Sequence, residues 1–254
     1  MPSQAAAPES STLRAFALLE RIGYAERPPS LDDLTRASGL PKPTVHRLLR
    51  LLMRGGLVQR DLAEKRYVVG SRACAFSLQV QLCSPSRAQR HAVLSRLVEE
   101  IGETCNFTML DGDEVIYLDR VETPEMVRLH MEVGSRVPLH CTASGKLFLA
   151  QFPPGQVRRL LGPAPLKRYT ERTIVDPEVL ERELRKIRRT GIAADTGEYL
   201  AGSVCVAVPV AGHGERVCAA IAVHGPAPRL TLKKSYQFLP ALRRAAHAVG
   251  PTLG

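Results

Sequence analysis

LPKPTVHRLLRLLMRGG, residues Leu40 to Gly56, sorts its side chains onto different faces of one short helix. Val45, Leu48, Leu49 and Leu52 recur at i, i+3, i+4, i+7, while Lys42, Thr44, His46, Arg47, Arg50 and Arg54 lie elsewhere around the axis. One face can be buried and another can meet something acidic. Pro41 and Pro43 are tolerated only in a first turn, and Gly55-Gly56 stops the helix because glycine accepts a left-handed cap. The spacing therefore predicts a helix of about three to four turns, the size that enters a DNA major groove with its N-terminal residues toward base edges.

The flanking sequence supports a small helical head. Ser11 or Thr12 is expected to cap a first helix with Leu13, Phe16, Ala17 and Leu19 apolar, broken by Arg27-Pro28-Pro29. A second helix from Ser30 or Leu31 carries Leu34 and Ala37 inward and turns at Ser38-Gly39. Helix, glycine-containing turn, helix is a helix-turn-helix pattern. Leu57 to Arg60 and Arg66 to Val69 read as two short strands around the polar link Asp61 to Lys65, a wing whose Arg60, Lys65 and Arg66 can hold phosphate. Residues 36–66 hold eight basic and two acidic side chains, so +6 of the chain's formal +10 lies there. That concentration suits a polyanion.

The 254 residues, 44% hydrophobic and 24% charged, suffice for two ordinary domains without disulfide or metal staples. The six cysteines are scattered with no C-x-x-C pair, as reduced cytoplasmic thiols would be. Nothing reads as a signal peptide or membrane span, so Asn106-Phe107-Thr108 is an idle glycosylation sequon. The expected layout is a disordered leader over 1–10, the head over 11–70, a linker helix over 71–85 punctuated by Ser84-Pro85-Ser86, and a larger domain over 86–254.

That larger domain opens with a helix over Arg87 to Ile101, using Val93, Leu94, Leu97, Val98 and Ile101. Cys105 to Leu110 and Val115 to Val121 form a hairpin across Asp111-Gly112-Asp113, and Met126 to Val133 alternates as a third strand. A helix follows from Thr142 until Pro153-Pro154 stops it. The next is bounded by Asp176, Pro177 and Gly191, with Val179, Leu180, Leu184 and Ile187 inward. Ser203 to Val210 and Arg216 to His224 pair across His213-Gly214, and a final helix spans Leu232 to Val249 through Leu239, Leu242, Ala246 and Val249. Hairpins without strict βαβ units predict an α+β fold around an antiparallel sheet.

Several blocks resemble, in order, the IclR family of bacterial transcriptional regulators: LPKPTVHRLLRLLMRGGLV with RYVVG, then RVPLHCTASGKLFLA, RTIVDPEVLERELRKIRRTGIAADTGE, GSVCVAVPV and AVHGP. The resemblance implies a winged helix-turn-helix, a linker helix and a GAF-like effector domain, assembled as homodimers or dimers of dimers. It implies binding of double-stranded operator DNA and of a small aromatic or carboxylic acid; no cofactor, metal or membrane partner is expected. DNA contacts fall on Lys42, Pro43, Thr44, His46, Arg47, Arg50, Arg60, Lys65 and Arg66. The effector pocket falls on Met126, Leu129, Val137, Ala143, Ser144, Gly145, Asp195, Cys205, Ala222 and His224. The family often has hydroxyl residues where this chain has Ala222 and His224, so His224 is a candidate partner for a ligand carboxylate. Ala143, Ser144 and Gly145 open a helix, whose free amides would face an anion, with the Lys146 charge nearby.

Other chemistries compete for the same residues. A P-loop needs glycine at His140 and a hydroxyl at Leu147, and is rejected. A Cys205 or Cys141 nucleophile with His140 or His224 as base and Asp195 as orienter is weaker than the reading of small buried hydrophobes. Zinc on His140, Cys141, Cys205 and His224 has suitable ligand types without supporting spacing. A DNA-binding protein whose second domain only oligomerises is the main alternative.

Overall fold

The computed structural model describes residues 10–25, 27–61, 65–83, 86–212 and 217–253. The leader before Ser10, the centre of the 61–65 link, Ser84-Pro85 and the turn at His213-Gly214 lie outside the described residues. The chain divides into compact units over residues 1–80 and 81–254.

The first unit packs α1 (Ser11–Tyr24), α2 (Leu31–Ser38) and α3 (Lys42–Arg54) with a hairpin of β1 (Val58–Arg60) and β2 (Tyr67–Val69). Ser10 caps α1 by accepting from the Thr12 amide at 3.3 Å. The inward stripe of α1 is Leu18 and Ile22, not Leu13 and Phe16, which are exposed. Ser30 and Asp33 form a reciprocal capping box on α2, satisfying two otherwise orphan amides. Its Leu34 is buried, whereas the expected Ala37 is exposed. Gly39 ends α2 at φ 67°, a left-handed conformation that glycine adopts without a Cβ penalty. On α3, Val45, Leu48, Leu49 and Leu52 are all buried as the spacing predicts. Arg60 pairs with Tyr67 in the hairpin register. From there α4 (Ser71–Cys83) continues the chain, with Phe76 and Val80 exposed.

The second unit is a curled antiparallel sheet in the order β5-β4-β3-β8-β7-β6. After α5 (Ser86–Ile101) come β3 (Thr104–Asp111), β4 (Glu114–Val121), β5 (Arg136–Pro138), α6 (Ala143–Leu149), α7 (Pro154–Leu161) and α8 (Pro177–Thr190). β6 (Ala193–Asp195), β7 (Ser203–Ala211), β8 (Val217–Pro226), α9 (Leu232–Gln237) and α10 (Leu239–Val249) complete it. α5 and α10 pack on one face of the sheet and α6 on the other.

Several expectations need correction. Met126 to Val133 forms no strand; the segment is irregular, and ionic anchors at Glu122 replace a ladder. Pro153-Pro154 does not merely stop a helix: Pro153 is the N-cap and Pro154 the first residue of α7, where a missing amide proton costs nothing. Val179 is 37% exposed, leaving Leu180, Leu184 and Ile187 as the buried face of α8. The final helix is two, because α9 ends at Gln237 and a new helix starts at Leu239, with Pro240 in its first turn.

Candidate functional site

The head presents its cations on the outer side of α3. Lys42, Pro43, His46, Arg47 and Arg50 are exposed, and Thr44 is half-buried beside the apolar stripe. Lys42 already pairs with Asp32 at 2.7 Å, an exposed contact that water and salt weaken. In the hairpin, Arg60 lies 5.7 Å from the Tyr67 ring centroid and Lys65 is exposed at φ 54°. Arg66 donates to the Pro28 carbonyl at 2.8 Å, so it braces the hairpin against the chain before α2.

In the sheet unit the strand register gathers residues far apart in sequence. Asp195, Cys205, His224 and Thr104 form one row across β6, β7, β8 and β3. Ala193, Ala207, Ala222, Asn106 and Arg120 form the next, reaching β4. Cross-strand partners point to the same side, here the side covered by α6. Ala143 of α6 packs with Ala207, Ala222 and Cys205, so small side chains separate helix from sheet.

Most of the pocket residues expected from sequence converge on this face. Asp195, Ala143, Ser144, Ala222 and His224 are buried and Cys205 half-buried. Val137 is also buried, within the apolar core under α6 and α8. Leu129 is half-buried and its carbonyl accepts from Arg120. Met126 is the exception: it is 93% exposed, in an irregular loop. Gly145 is needed for close packing, since a Cβ there would lie 2.3 Å from the Leu139 carbonyl oxygen and 2.6 Å from Thr142 Oγ1. Its amide is not a free anion donor, because the N-cap Thr142 accepts it at 3.2 Å. Nor is Lys146 free; buried, it is ion-paired with Glu198.

Burial sets the electrostatics. Asp195 is pushed up to about 6 by desolvation, against the amides of Glu198 at 2.6 Å and Gly197 at 3.0 Å that favour its charge. His224 is pushed down to about 4, first by burial and then by the Arg120 charge. Burial also raises both thiols, Cys141 to about 12 and Cys205 further, the reverse of nucleophile activation.

Sequence reasoning missed Arg120 and Asn106. Both are buried, and Arg120 donates to Asn106 Oδ1 at 2.9 Å, to Glu122 at 3.3 Å and to the Leu129 carbonyl. The signal for Asn106 was the alternation in CNFTM, where Asn106 and Thr108 interleave with Cys105, Phe107 and Met109. A polar stripe on a strand ordinarily faces water; here it faces α6.

A winged helical head followed by a curled antiparallel domain with buried charges defines a DNA-reading unit joined to a small-molecule-sensing one. Residues 11–62 match the IclR helix-turn-helix domain, and residues 85–250 match the C-terminal domain of bacterial IclR transcriptional regulators. The chain belongs to the IclR family and is a DNA-binding transcriptional regulator with a C-terminal effector domain. It is 45% identical over 237 residues to the probable transcriptional regulator SauR of Cupriavidus necator, covering 93% of this chain and 94% of that protein. The IclR crystal structure from Thermotoga maritima shares its fold with a TM-score of 0.63 and 30% identity, over 96% of this chain and 98% of that one. An IclR homologue from Microbacterium hydrocarbonoxydans, solved in complex with 4-hydroxybenzoate, gives 0.58 and 27%, over 96% and 99%. Among the described residues no helix is long and apolar enough to cross a membrane.

Proposed function

We propose that the chain is a cytoplasmic regulator that reads operator DNA with the first turns of α3 and changes its grip when a small organic acid occupies the α6-covered face of the sheet. The carrying observation is α3 itself: four buried apolar residues lock it into the head while His46, Arg47 and Arg50 stay exposed. Lys42, Pro43, Thr44, His46 and Arg47 form the base-reading edge; Arg50, Arg60 and Lys65 supply phosphate contacts. Arg66 acts indirectly, by holding the wing. The working particle is a homodimer or a dimer of dimers, so its operator has two half-sites.

The effector face comprises Ala143, Ser144, Asp195, Cys205, Ala222 and His224. The 4-hydroxybenzoate complex of the Microbacterium homologue supports an acid ligand. Adjacent residues of β4 offer a route for the signal: Arg120 lies on the effector face, while Asp119 accepts from His91 of α5 at 3.0 Å on the other. The covalent path to the head runs through α5 and α4. A ligand can shift operator affinity only by binding the two states differently.

Selection of duplexes from a random library followed by fluorescence anisotropy tests the DNA half. A recovered palindrome bound at least tenfold more weakly by Arg47→Ala is the expected result. Equal affinity of wild type and variant would remove Arg47 from the reading edge.

A further inference from the structure

Three buried polar groups stand together on the α6 face with more hydrogen-bonding capacity than protein partners. Arginine only donates, so the Asn106 atom that meets Arg120 must be its oxygen, which turns the amide group the other way. That amide, Asn106 Nδ2, is buried without a partner, and so is Nδ1 of His224. Asn106 sits directly across from Ala222, and His224 is two residues along the same strand with its side chain on the same face. Ala222 and Ala207 pack against Ala143 of α6 and Cys205, so the side chains beside the polar groups are small. Buried polar atoms without partners are costly, and Asn106 Nδ2, beside the Arg120 guanidinium, can only donate, so the cluster points to a ligand that accepts hydrogen bonds.

The charge balance gives its sign. The carboxylate near Arg120 is Glu122, which also accepts from Arg128 at 2.6 Å and from His130 at 2.8 Å. One negative charge is thus shared between two guanidinium groups, and the inner one, Arg120, is the buried one. Its other acceptors are neutral: Asn106 Oδ1 and the Leu129 carbonyl.

We propose that the effector is a small carboxylate whose charged end is received by Arg120, Asn106 Nδ2 and His224, with its remainder toward Cys205 and Asp195. The proposal rests on the reading of this face as the effector site and adds the seat of the charge. Asp195, across Cys205 from His224, accepts a hydroxyl on the ligand's far side, so hydroxy acids fit best. An incoming carboxylate also competes with the Leu129 carbonyl for Arg120. Binding therefore loosens one anchor of the 122–135 loop; the Arg229 donor to the Val127 carbonyl at 2.6 Å is untouched.

The decisive variant is Asn106→Asp. It keeps the oxygen that accepts from Arg120, gives that buried cation an ion-pair partner, and places negative charge where the ligand's would lie. Isothermal titration of the full chain uses three pairs: glycolate and glycolamide, pyruvate and pyruvamide, 4-hydroxybenzoate and 4-hydroxybenzamide. The expected result is at least one acid that binds tenfold or more tightly than its amide and loses roughly 10- to 100-fold in affinity in Asn106→Asp, while the variant's melting temperature does not fall. Arg120→Gln should lose the same acid, but its broken loop anchor makes it the secondary test. An amide that binds as well as its acid, or an acid bound equally by Asn106→Asp, overturns the carboxylate seat; the effector reading then survives if Asp195→Asn weakens that ligand. Silence from all six compounds overturns both.

Discussion

The head and the α6-covered face of the sheet handle charge in opposite ways. Arg47 and Arg50 stand in solvent on a helix whose buried residues are all apolar, whereas Arg120, Asn106, His224 and Asp195 are enclosed between a helix and a sheet. Exposed cations on a rigid scaffold suit a long, uniformly charged partner, with each contact weak and screened by salt. Enclosed polar groups suit a small ligand, because each interaction is strong and each unmet group costs stability. The two regions should therefore respond differently: substitutions in the first should change DNA binding with little effect on folding, and substitutions in the second should bear on folding stability, in either direction, as well as on ligand binding.

Gly145→Val should give the largest effect. Its Cβ would run into the Leu139 backbone and the Thr142 cap, with no flexible side chain able to yield against the former. Urea denaturation should show a loss of about 3 kcal/mol or more in the sheet unit. A variant within 1 kcal/mol of wild type would mean that α6 is not packed as described.

Asp195→Asn should act next, and in the stabilising direction. The folded wild type keeps the Asp195 proton up to about 6, where the unfolded chain releases it near 3.8, so stability is lost as pH rises through that window. Asparagine keeps the acceptor for the Gly197 and Glu198 amides without that loss. The variant's advantage should be near zero at pH 4 and of order 2 kcal/mol above pH 6, by thermal or chemical denaturation. His224 runs the other way, its stabilising contribution present above about 6.5 and lost as pH falls toward 4. Removing the Asp195 slope should therefore expose a fall in stability at low pH. A pH-independent difference between variant and wild type would contradict the buried, proton-holding state of Asp195.

Arg47→Ala should cost about 1–3 kcal/mol of operator affinity if it meets a guanine edge, with an unchanged melting temperature. Arg60→Ala should do least: a weaker, sequence-independent loss and a salt dependence shallower by about one unit of slope. If Arg60→Ala instead alters which duplexes are preferred, the wing reads bases, and the division between reading helix and gripping wing is wrong.

The same contrast explains what was legible in the sequence. Every determinant of α3 is local: two prolines at the start, two glycines at the end, and apolar residues one and two turns apart. α8 was equally plain, with the Asp176 cap and Gly191 at φ 66° both found where the residues place them. The effector face was legible only through its resemblance to a family. From residues alone, Asn106 looked like a sequon, and Arg120 drew no reading beyond its place in the strand Val115 to Val121. Their juxtaposition depends on a β3–β4 register shifted between Phe107 and Thr108 and on β8, which pairs with β3 from more than a hundred residues away. Met126 to Val133 misled for the same reason: its alternation imitates a strand, but no neighbour offers it a ladder.

The central claim is that a carboxylate on the buried face is felt at α3. Fluorescence anisotropy on the selected operator, with and without saturating glycolate, pyruvate or 4-hydroxybenzoate, tests it most directly. At least one acid should change the operator Kd by about fivefold or more in the wild type, and none should do so in Asn106→Asp. Identical operator affinity in every condition, despite measured binding of an acid, would contradict it.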